Sequence, residues 1–160
     1  VIVCYTRLLL RPETVASLEA HAPHAELHDV TDDPDAYWRA LARVWADGEA
    51  FIAVEHDVEL TPEVLPQFAA CPEPWCSFGY GDIPTGALVI GQQIGAVRFR
   101  AELVQAHPDV FESIEPRDRG WTGLDMPLHR ELWRRGLVAH FHLPPVAHHR
   151  RDEKRWSWRR

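Results

Sequence analysis

The stretch Ala50-Phe51-Ile52-Ala53-Val54-Glu55-His56-Asp57 carries five apolar residues into an abruptly acidic end. A run without polar interruption is what a strand buried on both faces requires, so the segment predicts a central strand over residues 51–54. Packing asks for no carboxylates where such a strand stops. Glu55 and Asp57, spaced i and i+2, point the same way in an extended chain. Such a pair suits a hard divalent cation and the phosphates it carries. It is also open to a turn reading, since acidic residues open turns and cap helices, and Thr61-Pro62-Glu63 follows as a helix start.

Outward from this strand, residues 1–5 predict a first strand and residues 12–20 a helix with Val15 and Leu18 on one face. Residues 25–30 predict a second strand, ending in Thr31-Asp32-Asp33-Pro34-Asp35. The helix after it sets Tyr37, Trp38, Leu41, Val44 and Trp45 along one stripe, a core face. A helix opened by Pro62 runs to about Ala70, where Cys71-Pro72-Glu73-Pro74 breaks it. Strands separated by helices of crossover length predict an α/β fold with a mostly parallel central sheet and helices on both faces. In such sheets ligands bind beyond the carboxyl ends of the strands, here Tyr5-Thr6-Arg7, residues 29–33 and Glu55-His56-Asp57. No Gly-x-Gly-x-x-Gly or Walker-type loop follows the first strand, so phosphates would need a metal.

The second half changes character. Residues 75–80, 87–90 and 94–99 read as short strands, a small antiparallel part, with helices over 101–107 and 125–135, the latter ended by Gly136. Residues 137–143 predict a last strand with His140 and His142 on one face, followed by Pro144-Pro145-Val146-Ala147-His148-His149.

The 160 residues and 46% hydrophobic content fit one globular domain, residues 1–149, with a tail at 150–160. No apolar stretch approaches the roughly 20 residues of a membrane span and no charged leader precedes the first strand, which predicts a cytoplasmic protein. Cys4, Cys71 and Cys76 lack the short paired spacing of a zinc site and are expected as buried reduced thiols. The net charge of −7 hides an asymmetry, because the tail holds six bases against two acids and leaves the body with 11 bases against 22 acids. An acidic body argues against general nucleic-acid binding. The tail, with Trp156 and Trp158 among its bases, reads either as a nucleic-acid grip or as a solvated end packing its indoles on the body.

In their order along the chain, the opening Val-Ile-Val-Cys-Tyr-Thr-Arg, the Glu55-His56-Asp57 end of the third strand, Cys-Pro-Glu-Pro-Trp-Cys, Gly-Trp-Thr-Gly-Leu-Asp heading a late helix and a final His resemble a compact glycosyltransferase of the GT-A fold. The resemblance implies a Rossmann-like αβα sandwich and a nucleotide-sugar-dependent enzyme with an Asp-x-Asp type motif. Two departures stand out: Glu55 occupies a position where family members often have Asp, and the chain is short for the fold.

By that resemblance Asp57 is a direct metal ligand and His148 a second, with His142 as the competing choice. Glu55 serves the ribose or a metal-bound water, and His56, pointing away between them, is grouped with the donor-binding residues. The ion expected is Mn2+, with Mg2+ as the other option. Tyr5, Thr6 and Arg7 line the base and ribose pocket, with Asp32 or Asp33 accepting from the base, although turn formation also accounts for these aspartates. Asp125 is the candidate base for the acceptor hydroxyl; its spacing in Thr122-Gly123-Leu124-Asp125 equally fits a capping box. Trp75, Tyr80 and Trp121 stack on sugar faces or fill the core. The expected donor is a UDP- or GDP-sugar and the acceptor a hydroxyl. Two other readings are a glycosyltransferase acting on hydroxylated bases in phage DNA and a non-catalytic nucleic-acid-associated module using the basic tail. A His/Asp metal hydrolase is a third class.

Overall fold

The computed structural model describes residues 1–5, 10–31, 33–82, 86–89, 93–118, 120 and 123–149. The first half alternates as its periodicity demands: β1 (Ile2–Tyr5), α1 (Pro12–His21), β2 (Glu26–Asp29), α2 (Ala36–Ala46) and β3 (Phe51–Glu55). Strand β1 pairs in parallel with both β2 and β3, Ile2 lying opposite Glu26 on one side and Ala53 on the other. Pro12 opens α1, where its missing N–H breaks no helical bond. That helix buries Thr14, Ser17 and Leu18, so its inner face is set one step from the Val15–Leu18 stripe expected. In α2 the buried residues are Tyr37, Leu41 and Trp45, and Trp38 and Val44 flank them, half-buried.

The remainder contains β4 (Val58–Glu59), α3 (Val64–Ala70), β5 (Trp75–Asp82), β6 (Leu88–Val89), β7 (Ala96–Phe99), α4 (Ala101–Ala106), a 3-10 turn (Pro116–Asp118), α5 (Asp125–Arg134) and β8 (His140–His148). The sheet order is β2-β1-β3-β7-β5-β8-β4, with β6 added to β5. Strands β1, β2, β3, β5 and β8 run one way, and β7, β4 and β6 run the other. The sheet is therefore mixed, and β3 is interior, between β1 and β7.

Alternate residues of these strands feed two cores. Ile2, Phe51 and Ala53 pack with Leu41 and Trp45 of α2, Leu103 of α4 and Leu128 of α5. Val3 and Val54 pack on the other face with Leu18 of α1 and Val64 and Phe68 of α3. The result is three layers, helix, sheet and helix, as expected.

Strand β8 departs most from the sequence reading, starting at His140 rather than 137 and continuing through Pro144-Pro145 to His148. The prolines survive in it because the ladder with β5 shifts register there, Phe78 facing His142 and Tyr80 facing Val146. At a bulge a missing N–H costs no ladder bond.

Candidate functional site

Strand β3 ends at Glu55, and His56 and Asp57 form the turn into β4. The period-two argument therefore stops at Glu55. Continuing the parity of Phe51 and Ala53, Glu55 meets α2, where the Tyr37 hydroxyl donates to Oε1 at 2.9 Å. Asp57 instead faces β8. Antiparallel pairing of β4 with β8 sets Val58 opposite His148, and the His149 N–H donates to the Asp57 carbonyl at 2.7 Å. This brings His148 Nε2 to 3.2 Å from Asp57 Oδ2. His148 thus lies within the last strand, not after it as the sequence suggested.

Asp57 Oδ1 is buried with no hydrogen-bond partner. Asp125 joins the cluster from the first turn of α5, its carboxylate held by its own N–H and that of Ile94. Leu124 is the N-cap of this helix and makes no side-chain cap bond, while Thr122, the other end of the capping box, lies outside the described residues.

The electrostatics describe crowded carboxylates. Burial, then the charges of Asp125 and Asp57, push Glu55 well above the usual carboxylate range, against the Tyr37 hydrogen bond. Burial and the Asp57 charge raise Asp125 to about 6. Asp57 goes the other way: burial opposes ionisation, but the His148 hydrogen bond and the charges of His56 and His148 hold it low. Burial lowers His56, which is 4% exposed and lies 3.9 Å from Asp57 Oδ2. A site with one firmly ionised carboxylate and two resisting ionisation is short of positive charge, and a divalent cation would supply it. The donor atoms fit one: cis ligands at about 2.1 Å from an ion lie about 3 Å apart, close to the Asp57–His148 separation.

Two residues that the sequence does not mark as site residues complete the arrangement. Tyr37 is one, its hydroxyl hidden in a stripe read only as apolar. Gly95 is the other: its N–H donates to Tyr80 Oη at 2.5 Å, and its carbonyl accepts from the Glu55 N–H at 2.8 Å. A Cβ at 95 would lie 2.6 Å from Glu55 Oε2 and closer still to Tyr80 Oη. Only glycine lets these groups approach so closely.

The remaining sequence candidates separate. Tyr80 is buried, its ring stacked on His148, so it presents no free face to a sugar. Trp75 is 1% exposed and stacked on Phe99 in the core, the second of its two readings, and is not a sugar platform. Asp33 is exposed and committed locally, accepting the Asp35 N–H at 2.9 Å and pairing with Arg39. Thr6, Arg7, Asp32, Trp121 and the basic tail lie outside the described residues, as does the side chain of Tyr5.

No family model and no curated protein matches the chain. A solved structure does: a glycosyltransferase involved in the glycosylation of the major capsid of PBCV-1, with a TM-score of 0.53 over 92% of each chain. Identity is 11%, so the likeness is one of fold. The chain therefore has an α/β architecture that a glycosyltransferase also uses. Among the described residues no helix is long and apolar enough to cross a membrane.

Proposed function

We propose that the protein is a metal-dependent glycosyltransferase of GT-A type, moving a sugar from a UDP- or GDP-sugar to a hydroxyl acceptor. The observation that carries this reading is the Asp57–His148 pair, 3.2 Å apart and with Asp57 Oδ1 unsatisfied, at the carboxyl end of an interior strand. Buried polar atoms are rarely left unpaired, and an orphan carboxylate oxygen beside an imidazole is a place for a cation. The fold of the capsid glycosyltransferase is consistent with it.

Asp57 and His148 would hold Mn2+ or Mg2+, which when bound neutralises the charge growing on a departing diphosphate. Tyr80 fixes the His148 ring by stacking at 4.5 Å. Glu55, anchored by Tyr37, would receive a ribose hydroxyl or an ion-bound water. Asp125 takes the proton of the acceptor hydroxyl, and a carboxyl raised to about 6 is well matched to that task near neutral pH.

Calorimetry tests the reading. UDP or GDP should bind in the presence of Mn2+ and not in its absence. Asp57→Asn should abolish the Mn2+-dependent heat while leaving the circular dichroism unchanged. Binding that survives in Asp57→Asn returns the tripeptide to the status of a turn.

A further inference from the structure

Strands β5 and β8 run side by side from Cys76 and His140 at their starts to Asp82 and His148 at their ends. Six residues of β5 at about 3.3 Å each put the two ends about 20 Å apart. At the starting end, remote from Asp57, the Sγ of Cys71 and one ring nitrogen each of His140 and His142 all lie within 4.8 Å of one another.

Each member is held by contacts of its own. Cys71, a free buried thiol, follows α3, and Arg98 fixes its loop by donating from Nη2 to the Cys71 and Glu73 carbonyls at 3.0 Å. The His142 ring stacks on Phe78 at 5.0 Å and meets Phe68 edge-on at 5.9 Å. Its Nε2 is buried with no hydrogen-bond partner. His140 is exposed, its ring 4.8 Å from that of His142.

One thiol and two imidazoles make a soft donor set, poor for Mg2+ and good for Zn2+. Metal–ligand distances of about 2.0–2.3 Å require the three donors to close up, which the exposed His140 side chain can do. Cys76 is already engaged, its Sγ accepting from Arg98 at 3.3 Å.

We propose that Cys71, His140 and His142 bind one Zn2+, with water in the fourth position, clasping the start of β8 to the loop after α3. On binding, the Cys71 S–H gives its proton to solvent and a Zn–S bond forms, while both histidines bind as neutral imidazoles. One proton is therefore released per ion.

Titration of the full chain with Co2+ under phosphine reductant tests this, because the Asp57–His148 pair has no sulfur and only a cysteine ligand gives a thiolate-to-cobalt charge-transfer band. The expected result is a band that saturates at one ion per chain, is displaced by Zn2+ and is lost in Cys71→Ser. His140 is exposed, so His140→Ala should fold normally while weakening Zn2+ binding about tenfold or more. Cys76→Ser should keep the band. The proposal fails if the parent chain shows no band, if His140→Ala binds Zn2+ unchanged, or if Cys76→Ser removes the band.

Discussion

The Tyr80 ring lies 4.5 Å from the His148 imidazole and within 14° of parallel to it. The same Tyr80 accepts the Gly95 N–H through its hydroxyl. One side chain thus positions the histidine by its face and the β7 approach loop by its tip. The two roles are separable. Tyr80→Phe keeps the face and strands a buried N–H, at a cost of about 1–3 kcal/mol. Tyr80→Leu also removes the stack. Urea unfolding should show both variants destabilised, whereas Mn2+ affinity measured by calorimetry should fall in Tyr80→Leu and hold in Tyr80→Phe. Equal Mn2+ affinity in the two would mean the stack does not position His148.

Gly95 offers a sharper perturbation. An added methyl meets Glu55 Oε2 and Tyr80 Oη, both partly fixed by other bonds. Overpacking of this kind costs about 1–3 kcal/mol. Gly95→Ala should lower the urea midpoint accordingly and displace Glu55 from Tyr37. Combined with Tyr37→Phe, its cost should be less than additive, since the second change frees the carboxylate to move. Full additivity would place the strain elsewhere.

What the sequence made legible follows from how local each signal is. The passage from Val54 to Glu55 announces a strand tip because burial and charge change within one residue. The βα alternation of the first half is likewise written in short-range periodicity. Strand β8 runs past the end its sequence predicts because Pro144-Pro145 has the composition of a stop, and only its register against β5 shows a bulge instead. Tyr37 and Gly95 were invisible as site residues for a different reason. Their roles depend on contacts with Glu55 and Tyr80 across the fold, 18 residues away from Glu55 in one case and 15 from Tyr80 in the other. Trp75 is ambiguous in the sequence because an aromatic residue lining a cleft and one beneath it have the same local sequence, and only its packing on Phe99 decides for the core.

Asp125 carries a pH-dependence of definite sign. Its folded value of about 6 exceeds the unfolded value of about 3.9, so the native chain binds the extra proton. The stability it contributes is full below about pH 4 and is lost as pH rises through about 6. Asp125→Asn should therefore be more stable than the parent at pH 8 by about 2 kcal/mol, and no more stable at pH 4. Loss of a carboxylate at the helix start opposes this by only about 0.5 kcal/mol. Urea unfolding in chelator at the two pH values checks it. Under the proposed mechanism, parent turnover rises through about pH 6 and the Asn variant loses about two to four orders of magnitude.

His129, one helical turn after Asp125 on α5, titrates with the opposite consequence. Burial lowers it to about 4, and its ring lies edge-on to Trp75 at 4.7 Å with Nε2 unpartnered. The unfolded chain takes up this proton near pH 6.5 and the native chain resists until about 4, so stability is lost as pH falls across that window. Across pH 6 to 4 Asp125 gains stability while His129 loses it, and the parent should show a shallow net slope. His129→Leu, which cannot be protonated, removes only the loss. Its melting temperature relative to the parent should rise by several degrees, roughly 2–4 °C per kcal/mol, as pH falls from 7 to 4.5. In Asp125→Asn the opposite holds: the compensating gain is gone, and the chain should melt more steeply with acid than the parent. If the two variants show the same slope, neither group titrates as its burial requires.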